Sequence, residues 1–430
     1  MNPLALELNE VIERTSKTVF SLLSHKGKQI YFPKKGILAQ SADAASKKIN
    51  ATIGTAVEDD GSPMRLMSIA KEINISPAGA FPYAASYGRP DIREKWKTML
   101  FEKNPSLAGK EVSQPVVTSA LTHGLSMVSY MFVEPGDEVA VSDLCWDNYS
   151  LIFENASGGH IITYQLFKNG GFDMESMEKV CFNGKIGKKI LLLNFPNNPA
   201  GYTPTTDEVQ KIVAVIKKAA DKGNKILVII DDAYFGLVYE DGIEKESVFS
   251  YLADCHENVL AIKVDGPTKE DYVWGFRVGF LTFGIKGATK ELYNVLEAKT
   301  AGAIRGNVSN CSNLSQSLLL AAYKSAEYEN EKQQKYELLK SRYEAVKQTL
   351  KDNPQYQDYF EAIPFNSGYF MCLELKHGLD GEKVRQILLN DYDTGVIFIS
   401  GVIRVAFSSV SKDKIPLLFG NIYEACKKAK

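Results

Sequence analysis

Four short stretches of this chain carry side chains able to do chemistry, and each borders an apolar run. Asp231-Asp232-Ala233-Tyr234 follows Ile226–Ile230. Asp265-Gly266-Pro267-Thr268-Lys269 follows Val259–Val264, with Arg277 eight residues beyond the lysine. Phe195-Pro196-Asn197-Asn198-Pro199-Ala200-Gly201 follows Ile190–Asn194, and Val117-Thr118-Ser119-Ala120-Leu121-Thr122 leads into a predicted helix. Together they offer an amine, carboxylates, a phenol, an amide and a guanidinium, the groups of proton transfer, covalent amine chemistry and anion binding. Alone, each is weak. Asn-Pro is a turn dipeptide, an acid ending a strand is often a helix cap, and a loop lysine is usually solvated. Their shared placement is harder to explain as punctuation, because in a parallel α/β sheet function gathers at the carboxyl ends of the strands.

The elements that must position these residues can be read from period. Val139–Val141, Ile161–Tyr164, Ile190–Asn194, Ile226–Ile230, Val259–Val264 and Gly279–Phe283 mostly lack polar alternation. That pattern predicts strands buried on both faces between layers of helix. Thr205 and Glu208 predict a capping box for a helix with Val209, Ile212, Val213 and Ile216 inward and Gly223 as its stop. Residues 1–24 predict a single amphipathic helix with Leu8, Val11, Ile12, Val19, Leu22 and Leu23 on one side, and an irregular stretch follows to about Lys48. After Glu327 comes a long charged helix carrying Leu338, Leu339, Val346 and Leu350. Two or three short strands (Gly368–Leu375, Val396–Ile399, Ile403–Phe407) and a helix with a basic end close the chain. The expected architecture is α/β. A large, mostly parallel-sheet domain spans residues 89–327, and a smaller α+β domain is built from both termini, 328–430 with the helix and arm of 1–88.

Composition narrows the function. At 430 residues, 45% hydrophobic and 24% charged, the chain is long enough for two or three folded domains and is not a disordered one. Lys and Arg number 50 against 52 Asp and Glu, so the net charge of -2 gives no reason to expect nucleic acid or an anionic membrane as partner. No apolar run approaches the ~18 residues of a spanning helix. Glu7 and Glu10 interrupt the only apolar stretch near the first residue, so no secretory signal is expected. Six cysteines without a C-x-x-C pair predict small buried hydrophobes in a reducing, cytoplasmic compartment, and five dispersed histidines predict no metal site. There is no Walker A loop and no G-x-G-x-x-G.

In their order and spacing these motifs resemble the class I aminotransferases of fold type I, which depend on pyridoxal 5'-phosphate (PLP) and include the aspartate and aromatic aminotransferases. The resemblance runs from about Ile49 to the last residue. It implies that Lys269 holds the cofactor as a Schiff base and then shuttles the substrate α-proton. Arg277 matches an arginine that binds the phosphate with its planar fork. Asp231 matches the acid that keeps the pyridine nitrogen protonated, and Tyr234 and Asn198 match two side chains that bond the ring hydroxyl oxygen. Trp146, in Cys145-Trp146-Asp147-Asn148-Tyr149, matches an aromatic stacked on the ring. Backbone amides of Ala120, Leu121 and Thr122 would cradle the phosphate at a helix N-terminus. Here the chain departs from its relatives, which usually have Gly or Ser in place of Ala120, often Gly in place of Leu121, and often Ser in place of Gly266. A hydroxyl contact is expected to be lost, with Thr268 or Thr122 as the compensation.

The same resemblance implies substrate and partner. Tyr83, in Tyr83-Ala84-Ala85-Ser86-Tyr87-Gly88, matches a tyrosine that reaches the phosphate of the neighbouring subunit, which makes the expected enzyme a homodimer. Arg404, inside Val402-Ile403-Arg404-Val405-Ala406-Phe407, matches the clamp for the substrate α-carboxylate. An arginine within an apolar strand is costly unless paired, which agrees. Gly54 and Asn198 are expected beside the same group, and Phe370 beside the substrate. Arg305, in Ala303-Ile304-Arg305-Gly306-Asn307, resembles an arginine lent across the dimer to a distal carboxylate. The expectation is transamination between an L-amino acid, aspartate or glutamate first, and a 2-oxo acid such as 2-oxoglutarate. Aromatic or broad specificity and a C–S lyase on the same scaffold are the alternatives. A DNA-binding sensor is disfavoured, because the residues before Ile49 are too few for a winged helix with its linker and lack a basic patch.

Overall fold

The computed structural model describes residues 1–31 and 36–430. Seven strands form the large sheet, in the order Val116–Thr118, Gly279–Gly284, Val259–Asp265, Lys225–Asp231, Lys188–Asn194, Glu138–Ser142, His160–Tyr164. All pair in parallel except Gly279–Gly284, which runs antiparallel to both its neighbours. The central strands are buried along nearly their whole length, as their unbroken apolar runs require when helices cover both faces. One apolar core lies on the face of Leu192, Leu227, Ile229 and Val264 and continues into Phe370, Leu373 and Val405 of the smaller sheet. A second fills the other face, where Leu191, Val228 and Ile230 meet Val209 and Ile212.

The helix Thr206–Asp221 forms as its sequence dictates: Thr205 and Glu208 make both halves of the capping box, and Gly223 follows its end at φ +99. Ladder register then sets the chemistry. Asn194 pairs with Asp231, and Asp231 with Val264, so the polar ends of three strands lie side by side. The chain leaves Glu138–Ser142 toward one edge and returns on its other side at Lys188–Asn194, which opens a crevice at the carboxyl ends.

Phe360–Ala362, Phe370–Leu375, Val402–Ala406 and Ile397–Ile399 form a four-stranded antiparallel sheet, packed with the helices Tyr328–Asp352, Gly381–Asp391 and Ile415–Ala429. Ile49–Asn50 pairs in parallel with Thr394–Gly395, tying the early chain to this region.

Two expectations for the first 48 residues are corrected. The single helix of residues 1–24 is two, Pro3–Thr15 and Lys17–Leu22, because Ser16 is extended and its hydroxyl caps the second by accepting from the Val19 amide at 3.2 Å. The apolar side read for it is largely outward, with Leu22 78% exposed, whereas Asn9 is buried and donates to the Lys28 carbonyl at 2.8 Å. The stretch taken as irregular holds two further helices, His25–Gln29 and Ile37–Asp43; its residues 32–35 lie outside the described ones. The second of these is held from far away. Gln40 bonds both the N–H and the carbonyl of Phe398, at 2.7 and 2.8 Å, and Asp43 meets Arg385 at 3.1 Å. Among the described residues, no helix is long and apolar enough to cross a membrane.

Candidate active site

A cavity of about 210 Å³ lies where the carboxyl ends of the large sheet face Phe370 and Arg404 of the smaller one. Lys269 reaches it from the short helix Pro267–Glu270 that follows Val259–Asp265. Its amine has no hydrogen bond or ion pair among the described residues and lies 4.8 Å from the centre of the Tyr234 ring. Burial pushes it down to about 8, against the opposing pull of Asp231, and the Arg277 guanidinium pushes the same way. An unpaired amine of that acidity is an available base and nucleophile.

Asp231 ends its strand beneath the cavity and is buried. One carboxylate oxygen accepts from Tyr149 Oη at 2.6 Å, the other from the Ala233 amide at 3.2 Å. Burial raises its pKa, while Tyr149 and Lys269 hold it down. Asp232 points the other way, pairing with buried Lys263 and accepting from Ser247 Oγ at 2.5 Å. Only Asp231 faces the cavity. Tyr234 packs edge-on against Tyr369 and Phe370, and its hydroxyl has no partner among the described residues. Trp146 lines the wall and meets Tyr149 edge-on at 5.7 Å.

The anion cradle is tight. The helix Ala120–Phe132 begins there without a side-chain cap, leaving its first N–H groups free, and Leu121 and Thr122 line the cavity. Ala120 lies behind them in the left-handed region at φ +63, a conformation that Gly adopts more easily. A Cβ on Gly266 would come within 2.9 Å of Gly279 Cα, and one on Gly279 within 2.7 Å of Ala120 C. The main chains cross too closely for a serine at 266. The hydroxyl of Thr268 is buried with no partner among the described residues. Arg277 does not line the cavity; it is exposed and donates to the Trp274 carbonyl at 3.0 Å, although its charge is felt at Lys269.

Arg404 is 2% exposed on its strand. It donates to Asn198 Oδ1 at 3.2 Å and to the Thr52 carbonyl at 3.0 Å, lies 4.3 Å from the Phe370 ring centre, and leaves Nε without a partner. No carboxylate of the described residues pairs with it. Gly54 lines the same end, where a Cβ would touch nothing within 4 Å, so that room is not used by the protein itself.

Four of the sequence-derived residues lie off the lining of this cavity: Ala120 and Arg277, described above, and Tyr83 and Arg305. Tyr83 is 92% exposed, and Arg305 is exposed with its guanidinium donating to Ser309 Oγ at 3.0 Å. Three residues were missed. Tyr149 grips Asp231, Asn194 donates to the Asp231 carbonyl at 2.8 Å, and Ile37 lines the cavity from the early chain. The first two had a signal, Tyr149 in its place three residues after Trp146 and Asn194 as the polar end of an apolar strand. Ile37 had none.

A large, mostly parallel sheet with its site at the strand ends, joined to a smaller antiparallel sheet that supplies Arg404, is the architecture of a fold-type-I transferase. The profile of the family described as "Aminotransferase class I and II" matches residues 46–422, and the chain belongs to that family. It is similar to an aspartate aminotransferase of Sulfurisphaera tokodaii, 26% identical over 230 residues, 52% of this chain and 54% of the relative. The matched part thus spans about half of that enzyme's length. It is also similar to a tyrosine aminotransferase of Klebsiella pneumoniae, 25% identical over 275 residues, 62% of this chain and 64% of the relative. Among solved structures, an aminotransferase from Anaerococcus prevotii superposes with a TM-score of 0.78 at 24% identity, covering 90% of this chain and 94% of that one. The family's cofactor is PLP. The residues present fit it: an unpaired amine, a buried carboxylate, a free phenol, an aromatic wall, and a helix N-terminus beside the unpartnered Thr268 hydroxyl.

Proposed function

We propose that the chain is a PLP-dependent aminotransferase that moves an amino group between an L-amino acid and a 2-oxo acid such as 2-oxoglutarate. The observation that carries this reading is the pair of uncompensated cations, Lys269 and Arg404, on one cavity floored by Asp231. Bound PLP supplies an electrophilic carbonyl carbon and an electron-withdrawing ring. The rest falls to the protein. Lys269 Nζ holds the cofactor and moves the proton at the substrate α-carbon, a task suited to a group poised near 8. Asp231 would keep the proton on the pyridine nitrogen, and Tyr149 holds its carboxylate in place. Tyr234 and Asn198 would hold the ring hydroxyl oxygen, and Trp146 would cover the ring. Thr122, Thr268 and the amides of Ala120, Leu121 and Thr122 would take the phosphate, with Arg277 adding its positive charge from outside the cavity.

Arg404 grips the α-carboxylate beside Gly54, Asn198 and Phe370. In the homodimer of this reading, Tyr83 of the partner subunit completes the phosphate site, and Arg305 of the partner subunit takes the second carboxylate of aspartate, glutamate or 2-oxoglutarate. The exposure of both side chains in one protomer supports that. Residues 89–327 form the cofactor-binding domain, and both termini the smaller one, a division supported by the Ile49–Asn50 pairing with Thr394–Gly395. A cytoplasmic location is part of the reading, supported by six free cysteines.

The test is a half-reaction panel, with PLP-loaded protein mixed with each amino acid and the cofactor's visible absorbance followed. Conversion to the amine form by at least one amino acid is expected, with aspartate or glutamate among those that react. Silence toward all of them would move the assignment to an elimination on the same site. Arg305→Leu should lower the aspartate-to-phenylalanine ratio of kcat/KM by at least about tenfold; an unchanged ratio would end that role.

A further inference from the structure

His123 stands one residue beyond the cradle amides and off the cavity lining, yet it holds the main chain from which they project. That main chain has a costly shape. Ala120, the first residue of its helix, sits at φ +63, left-handed backbone that an L side chain rarely adopts. Thr118 grips one flank of it, its buried hydroxyl donating to the Ala120 carbonyl at 2.9 Å. His123 grips the other: the Ser119 N–H, one residue before Ala120, donates to His123 Nδ1 at 2.9 Å. A backbone N–H can only donate, so Nδ1 is the unprotonated nitrogen of that ring. Burial pushes the imidazole down from its ordinary 6.5, against the pull of Asn307, so the accepting form is the one present at neutral pH. The device resembles half of a capping box. There a Glu or Gln at the third helical position reaches back to the N–H of the cap residue. Here His123 reaches back from the fourth, and the cap residue Ser119 makes no side-chain cap bond.

We infer that His123 is a positioning residue for cofactor binding: by accepting from the Ser119 N–H it holds the left-handed turn at Ala120, so that the amides of Ala120, Leu121 and Thr122 converge on the phosphate. The inference rests on the PLP reading and deepens it. Gly279 backs the turn on one side, where an added Cβ would already come within 2.7 Å of Ala120 C. Without the acceptor, the Ser119 N–H must turn to water, and the amides that follow it are free to drift from that arrangement. His123 itself touches no phosphate. Its effect is therefore confined to ligands that carry one.

The test compares PLP with pyridoxal, which keeps the ring and the carbonyl and lacks the phosphate. Cofactor-free wild type, His123→Leu and His123→Asn are titrated with each and binding is followed by absorbance. Asn places Oδ1 where the imidazole has Nδ1, so it keeps the acceptor without the ring. Losing a hydrogen bond and leaving its donor unpaired shifts an equilibrium by about tenfold. His123→Leu should therefore weaken PLP about tenfold while pyridoxal changes by less than about twofold, and His123→Asn should bind PLP nearly as wild type does. Equal weakening of both ligands in His123→Leu, no weakening of PLP, or an Asn variant as weak as the Leu variant would overturn the inference. A second measurement stands even if His123→Leu does not fold. Nitrogen NMR of the histidine rings in wild type, with the His123 signals identified by their loss in His123→Asn, should show Nδ1 unprotonated at neutral pH; a proton on Nδ1 would overturn the inference. If wild type binds PLP no tighter than pyridoxal, the cofactor reading fails and the inference with it. If wild type prefers PLP and His123→Leu keeps that preference, the inference fails alone.

Discussion

Two sets of buried charges lie within a few residues of each other, and they are treated in opposite ways. Behind the lysine loop every charge has a partner. Lys263 sits against Asp232 and 3.4 Å from Asp265. Glu270 lies between Lys103 at 2.5 Å and Lys332 at 2.6 Å, and Asp271 is held by Lys332, Tyr323 and Tyr328 at 3.2, 2.8 and 2.7 Å. In front of the loop the cations are left open: among the described residues Lys269 has no ion pair, and Arg404 meets only neutral oxygens. A buried charge is tolerated when it is paired and hydrogen-bonded. The rear network therefore holds the fold, and the open cations face the cavity floored by Asp231.

The largest effect expected is at the open lysine. Lys269→Ala should lower turnover by roughly three or more orders of magnitude while the fold persists, because it removes both the covalent anchor and the proton carrier. Lys263→Ala should do the reverse, since breaking a buried pair costs about 3–5 kcal/mol of stability. Rates and melting curves of the two variants check this, and substantial turnover in Lys269→Ala without added amine would refute the assignment.

The neighbouring aspartates sharpen the contrast. Asp232→Ala strips Lys263 of its closest partner and should lower Tm markedly. Asp231→Ala should melt near the wild type yet lose kcat far more than KM changes. If the two phenotypes are exchanged, Asp232 is the partner of the cofactor. Equal activity of Asp231→Ala and wild type would end the role altogether.

A smaller effect concerns pH. The Lys269 amine is pushed from the ordinary 10.5 down to about 8, first by burial. Between those values the unfolded chain carries a proton that the folded chain has released, so this group makes stability rise with pH across the window. Below pH 8 the folded chain must bury the charge. Lys269→Met in the cofactor-free protein should therefore be more stable than wild type at pH 7, and its advantage should shrink toward pH 10. A Tm difference that is constant with pH would contradict this.

What the sequence made legible follows from distance along the chain. The buried strands and the capped helix Thr206–Asp221 are local patterns, and Asp231 could be preferred over Asp232 because it stands in step with Tyr234. The direction of Gly279–Gly284 was not legible, since burial on both faces looks alike in either sense. Gly266 was visible as a departure from relatives, but its cause, three main chains meeting at Gly266, Gly279 and Ala120, needed the fold. Tyr149 reaches Asp231 from 82 residues away, and Gln40 reaches Phe398 from 358. No periodicity encodes such contacts, which is why the early helices were misread and Ile37 was overlooked.

The contrast between open and paired lysines can be tested in one step. PLP-loaded protein is treated with borohydride, which reduces a lysine–cofactor linkage to a stable secondary amine, and is then digested and mapped by mass spectrometry. The account predicts a single modified peptide, with the adduct on Lys269 and none on Lys263 or Lys332. An adduct on another lysine, or no stoichiometric adduct at all, would contradict it.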